Sequence, residues 1–234
     1  MAPNDIDLAK TTIAGLDLSL NHWALVVLNG KGEHKLTYYA SSIKKLVNSK
    51  YAWEIPKKKK GESKWLYNAR RRDALYGMLG IAFGNLLIYP PGNTVYLNIE
   101  HYALGAVTNS AYETGEAGGL ARQIAWMCNI AVRLTDPQSL KMFVEKGGID
   151  KERMVFLADG VLIPPEVEGS EVEEDMCDAW HLARLLYTEL QLRTGVVTLD
   201  QLPQNQVKVF NRCTKTFPTN VLARDFVWKG AVGD

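Results

Sequence analysis

Apolar positions recur along this chain with a period of two in its first forty residues and a period near 3.6 over most of the remainder, and that change of period predicts a mixed α/β protein. Residues 13–19 are a short apolar run with Asp17 in their middle, which reads as a buried strand. Asn21 and His22 make a turn, residues 23–28 are a second apolar run, and Asn29, Gly30, Lys31 and Gly32 are hairpin-turn residues leading to a third strand at 36–39. A basic stretch at 44–64 has no clear period and reads as a weakly ordered, mobile loop. A long apolar helix over 65–89 comes next, stopped by Pro90, Pro91 and Gly92.

Residues 95–100 read as a fourth strand ending on Glu100. The stretch 116–129 reads as a helix whose Gly118, Gly119, Ala121 and Ala125 permit close approach of another backbone, and 131–134 as a fifth strand. Asp136 caps a helix that begins at Pro137 and stops at Gly147 and Gly148, Asp150 caps another that runs to about Ala158, and a final amphipathic helix spans 174–193 and ends before Gly195. The order predicts one domain over 1–195, a five-stranded mixed sheet with helices on both faces. Residues 196–234 form an extension to which the pattern assigns no role.

The placement of acids gives the pattern chemical content. Alternation puts Asp17 on the face opposite Leu16 and Leu18, inside a strand where a bare carboxylate costs several kcal/mol unless a cation or a strong donor set compensates it. Glu100 ends a strand of Val95, Leu97 and Ile99. Asp175 and Asp178 are three apart at the start of the last helix, hence on one face, with side-chain origins about 5 to 6 Å apart. Two like charges at that distance repel by roughly 3 kcal/mol at an effective dielectric near 20. If the four acids converge, they need a cation, and two magnesium ions, with manganese as a substitute, suit hard oxygen ligands in a two-metal phosphodiester hydrolysis.

Composition supports this reading through distribution rather than sum. The 234 residues carry a net charge of only +1, yet residues 50–72 hold nine Lys or Arg against two Glu, and residues 166–178 hold seven acids and no base. Segregation of this kind suits a protein that grips a polyanion and also concentrates divalent cations. Lys57, Lys58, Lys59, Lys60, Arg70 and Arg71 are the candidate phosphate contacts, and Trp53, Trp65 and Tyr67 interleave with them as candidate base-stacking groups. The three cysteines have no CxxC spacing, which disfavours a disulfide framework or a zinc knuckle, and Cys177 with His181 reads as core. No leader or membrane span is evident, so a cytoplasmic protein is expected.

Several of these segments resemble the motifs of RuvC-type Holliday junction resolvases, which have an RNase H-like fold. The run AGLDLSL at 14–20 is similar to the family's opening strand, IEHY at 99–102 to its second motif, and EDMCDAWHLA at 174–183 to its last. DPQSLK at 136–141, followed by Gly147, Gly148, Asp150 and Lys151, resembles its phosphate-contacting segment. The resemblance implies that Asp17, Glu100, Asp175 and Asp178 bind metal, that Lys141 assists catalysis, and that Lys141 and Lys151 meet DNA. It further implies branched DNA as substrate and a homodimer packed through the helix at 116–129, whose two-fold symmetry suits paired cuts. The aromatic that these resolvases carry just after the glutamate is not matched at Ala103, and His101 and Tyr102 are the nearest candidates for DNA contact. The basic insertion suggests a divergent branch, with a viral source among the options. The order of elements also fits other RNase H-fold nucleases, acting on RNA hybrids, flaps or forks, and the actin-like ATPase and phosphotransferase superfamily.

Overall fold

A computed structural model describes residues 6–88, 91–100, 109–146 and 149–216. Its centre is a six-stranded sheet in the order β4-β3-β2-β1-β5-β6, formed by β1 (Thr11–Leu18), β2 (His22–Asn29), β3 (His34–Ser41), β4 (Ala52–Glu54), β5 (Thr94–Glu100) and β6 (Ala131–Thr135). The first three strands are antiparallel neighbours. β5 lies parallel to β1 and β6 parallel to β5, as the intervening helices require. One face is covered by α1 (Lys64–Ile88) and α2 (Asn109–Met127), the other by α5 (Glu171–Thr194).

Alternation along β1 sorts its side chains between these layers. Ala14, Leu16 and Leu18 join Leu79, Phe83 and Ala121 on one side, while Ile13 joins Met176, Ala179 and Ala183 on the other. Both faces are therefore dry, and the acids sit where the α5 layer meets the end of the sheet.

Three expectations need correction. The sheet has six strands rather than five, because the basic stretch at 44–64 is no simple loop. It contributes β4, paired parallel to β3, and Trp53 in that strand stacks on Trp23 and Tyr38 with ring centroids 5.6 Å away in each case. Ile55 is buried just after it. Helix α2 begins at Asn109, seven residues before the expected start, and α5 begins at Glu171 rather than Glu174. Glu171, Glu173 and Glu174 occupy the first turn of α5, where the helix dipole favours negative charge, so Asp175 falls in the second turn. The helices α3 (Pro137–Val144) and α4 (Lys151–Phe156) are capped by Asp136 and Asp150, whose carboxylates accept from the backbone N–H of Ser139 and Arg153.

Beyond residue 195 the chain adds α6 (Gln204–Thr216), whose Val209 and Phe210 are buried with Leu140, Phe143, Leu182 and Leu185. No helix among the described residues is long and apolar enough to cross a membrane.

Candidate active site

A glycine decides how the acids meet. A Cβ at Gly15 would lie 2.0 Å from the Ala179 carbonyl oxygen and 2.5 Å from the Ala183 nitrogen, so only glycine lets α5 rest directly on β1. Asn98, fully buried on β5, pins the same helix by donating to the Leu182 carbonyl at 2.9 Å, and its own oxygen accepts from the Thr135 hydroxyl at 2.8 Å. The parallel register pairs Leu16 with Ile99, which sets Asp17 and Glu100 side by side one residue further on. Asp175 and Asp178 then descend from α5 over that edge.

The four acids form one electrostatic unit. Burial raises the Asp17 carboxyl well above its ordinary value, and repulsion from Asp175, Glu100 and Asp178 raises it further. Asp17 is hydrogen-bonded to Glu100 and Asp175, the arrangement expected when a proton sits among carboxylates that cannot all be ionised. Glu100 and Asp175 are also raised, burial again being the largest cause. Asp178 is pushed up to about 7 by burial and by its two acidic neighbours Glu100 and Asp175.

Among the described residues, His22, Lys151 and Lys141 stand around this cluster. His22, at the start of β2, binds Asp175 through Nδ1 and lies 3.1 Å from Glu171 through Nε2, and its bond to Asp175 raises the imidazole above its usual value. Lys151 pairs with Glu174 at 2.5 Å and pulls on Glu100, Asp175 and Asp178. Lys141, on α3, draws Glu100 and Asp178 downward. Among the described residues no three His, Cys, Asp or Glu side chains already converge as a ligand set for one ion. The donor set itself, desolvated and mutually repelling carboxylate oxygens, fits a hard divalent cation such as magnesium or manganese.

No protein-family model and no curated protein matches this chain by sequence. Solved structures do match in three dimensions. A structure titled as Thermus thermophilus RuvC in complex with Holliday junction substrate superposes with a TM-score of 0.52 at 16% identity, covering 79% of this chain and 96% of that one. A second Thermus thermophilus RuvC structure gives 0.50 at 18% identity over the same shares. The chain has a RuvC-like fold. The expected RNase H-like α/β class therefore holds, with the additional strand β4 at the sheet's edge.

Within this RuvC-like fold the other candidate residues divide sharply. Lys57, Lys58, Lys59 and Lys60 are exposed and form no salt bridge among the described residues. Arg70 is committed: it forks onto Glu62 at 2.7 and 2.8 Å and donates to the Lys57 carbonyl at 2.8 Å. Arg71 does not behave as a surface cation. It is 5% exposed, donates to Asn21 and to Asn68 (2.6 Å), and lies 4.4 Å from the centroid of the Tyr67 ring, because the β1–β2 turn packs onto α1 there. His101 and Tyr102 lie outside the described residues. Cys177 is buried, its thiol pushed up to about 12, and His181 is bonded to the Met154 carbonyl at 2.9 Å.

Sequence reasoning missed His22, Glu171 and Asn98. His22 reads as a turn residue, and no local pattern links it to a helix more than 150 positions away. Asn98 carried a usable signal, since a polar residue in an apolar strand requires a partner.

Proposed function

We propose that this protein is a divalent-cation-dependent, structure-selective endodeoxyribonuclease that cuts Holliday junctions or similarly branched DNA. The observation that carries the reading is the convergence of Asp17, Glu100, Asp175 and Asp178 at one edge of the sheet, all with raised pKa values, flanked by Lys141 and Lys151. The likeness to a RuvC solved with Holliday junction substrate supports the choice of DNA over other phosphodiesters.

The four carboxylates would hold two magnesium ions, or manganese in their place. When bound, the cations supply Lewis-acid stabilisation of an in-line displacement at phosphorus. Everything else falls to the chain. Gly15 and Asn98 keep α5 seated so that two acids from the helix face two from the strands. His22 fixes the orientation of the Asp175 carboxylate. Lys141 and Lys151 bring positive charge to the rim, where a phosphate approaching four acids would otherwise be repelled. The exposed run 57–60 adds non-selective grip on the backbone.

Two cuts in a junction with two-fold symmetry call for a homodimer, for which α2 is the proposed surface: a side chain at Gly119 would meet only the tip of Arg122, and Trp126 and Met127 are exposed at its end. Residues 1–195 are taken as the nuclease unit, 196–234 as its extension, and the cytoplasm as its location. The test is cleavage of synthetic four-way, three-way, flap and linear duplexes with magnesium and with EDTA. Paired symmetrical nicks in the four-way substrate, abolished by EDTA, are the expected result. Metal-dependent cutting confined to RNA hybrids or flaps would replace the substrate, and no metal-dependent cutting of any nucleic acid would end the nuclease reading.

A further inference from the structure

The basic insertion lies on the same edge of the sheet as the acids. Strand β3 runs antiparallel to β2 with Ser41 opposite His22, and β4 runs parallel to β3 with Glu54 opposite Ser41. Since Leu18 faces Trp23 across β1 and β2, the chain leaves β4 at the edge where Asp17 stands. Residues 55–63 then cross that edge to reach α1. Their path is fastened at both ends: the Ile55 N–H donates to the Ser41 carbonyl at 2.9 Å, and Arg70 clamps Glu62 and the Lys57 carbonyl. Lys57, Lys58, Lys59 and Lys60 are all exposed, and no salt bridge among the described residues engages them.

The three aromatics of this region have different fates. Trp53 is stacked between Trp23 and Tyr38, and the Tyr67 ring is covered by Arg71. Trp65, by contrast, is 73% exposed. It stands in the first turn of α1, six residues before Arg71, whose guanidinium reaches the β1–β2 turn at Asn21. Six residues of helix span about 9 Å, so the indole is carried toward and past the end of the sheet at which the acids stand, on the α1 layer rather than the α5 layer. Beside it Leu66 is also 46% exposed.

We infer that Trp65 and the lysines at 58–60 form a strand-gripping platform on the active edge, on which the indole stacks against an unpaired or unstacked base of branched DNA while the lysines hold the adjoining phosphates. A large exposed aromatic ring has little use for water and a π-face that any base can cover, and the exposed lysines of the crossover that leads into α1 supply charge for phosphates of the same strand. A fully paired duplex offers no free base face, so the platform discriminates branched from linear DNA without reading sequence. This inference rests on the nuclease reading above, of which it specifies the substrate contact.

The experiment uses the full chain carrying Asp17→Asn, so that binding is measured without cutting, with a four-way junction bearing 2-aminopurine at the crossover and a linear duplex of the same length. Trp65→Ala should weaken junction binding roughly tenfold, leave duplex binding within about twofold, and abolish quenching of the 2-aminopurine, whereas Trp65→Phe should retain most of the affinity. Replacing Lys58, Lys59 and Lys60 together by Ala should weaken both DNAs alike and lower the dependence of log affinity on log salt by about three. Because Trp65 is so exposed, its loss should leave the melting temperature unchanged, which separates a contact from a fold defect. Equal junction binding by Trp65→Ala and its parent overturns the inference while leaving the nuclease reading intact. A parent that binds no branched DNA overturns both.

Discussion

Helix α5 carries two buried charge clusters, one toward each end, and they are built on opposite terms. Toward its C-terminus, Glu189 is fully buried between Arg133, at 2.5 Å, and Arg193, at 2.6 Å, all three being 2% exposed or less. Toward its N-terminus, Asp175 and Asp178 meet Asp17 and Glu100, and among the described residues the basic groups around them are the His22 imidazole and the rim lysines Lys141 and Lys151. In the first cluster the protein supplies the counter-charge itself, and the ion pairs tie β6 to α5. In the second it gathers more carboxyl groups than nearby basic ones, and their pKa values are raised by burial and mutual repulsion. A fold tolerates such an excess where something from solution completes the site. The contrast separates charge used for architecture from charge held ready for chemistry.

The largest expected effect that would sharpen this contrast is on activity. Asp17→Asn should lower magnesium-dependent cleavage of a four-way junction on the order of a thousandfold while leaving junction binding intact, as read by gel cleavage and by anisotropy. Normal cutting by this variant would break the assignment. Glu189→Gln should do the reverse, costing about 3 to 5 kcal/mol by removing the buried carboxylate that pairs with Arg133 and Arg193, and lowering the melting temperature by about 10 °C. Next in size, His22→Ala should weaken manganese binding by roughly ten- to a hundredfold in calorimetry, because Asp175 loses the partner that orients it. Asp178→Asn should stabilise the metal-free protein by on the order of 2 kcal/mol, where an acid with a merely structural role would cost stability.

The smallest effect is a pH dependence of the metal-free protein. Folding raises these carboxyl groups, so between the ordinary Asp value of 3.8 and about 7 the folded state binds more protons than the unfolded chain. Stability should fall as pH rises across that window. His22 acts in the same direction, since its raised value gives stability that is present at low pH and lost as pH rises through its folded value. Magnesium should raise the melting temperature more at pH 8 than at pH 5, because its ligands must be deprotonated. Equal shifts at the two pH values would argue that the cation binds elsewhere.

Much of the architecture was legible from periodicity. Strands β1, β2, β3, β5 and β6 and helices α1 and α5 lie within a few residues of where alternation and helical spacing put them, and Asp17 faces away from Leu16 and Leu18 as alternation requires. β4 was not legible, because three residues in a lysine-rich stretch carry no period of their own and pair only because Trp53 finds Trp23 and Tyr38. The register of α6 and its burial against α3 lay beyond the pattern for the same reason.

The site divides along the same line. Which acids are candidates, and that two of them share a helix face, can be read from spacing over a few residues, which the backbone's own geometry converts into direction. Which charges are compensated is another matter. Arg70 and Arg71 are adjacent in the chain, yet one is tied to a surface loop and the other is buried under the β1–β2 turn, and His22 meets Asp175 across the width of the fold. Local sequence determines the direction of a side chain. What that side chain meets is decided by packing between segments far apart in the chain, and in a low-dielectric interior that meeting determines whether a charge is neutralised or left available.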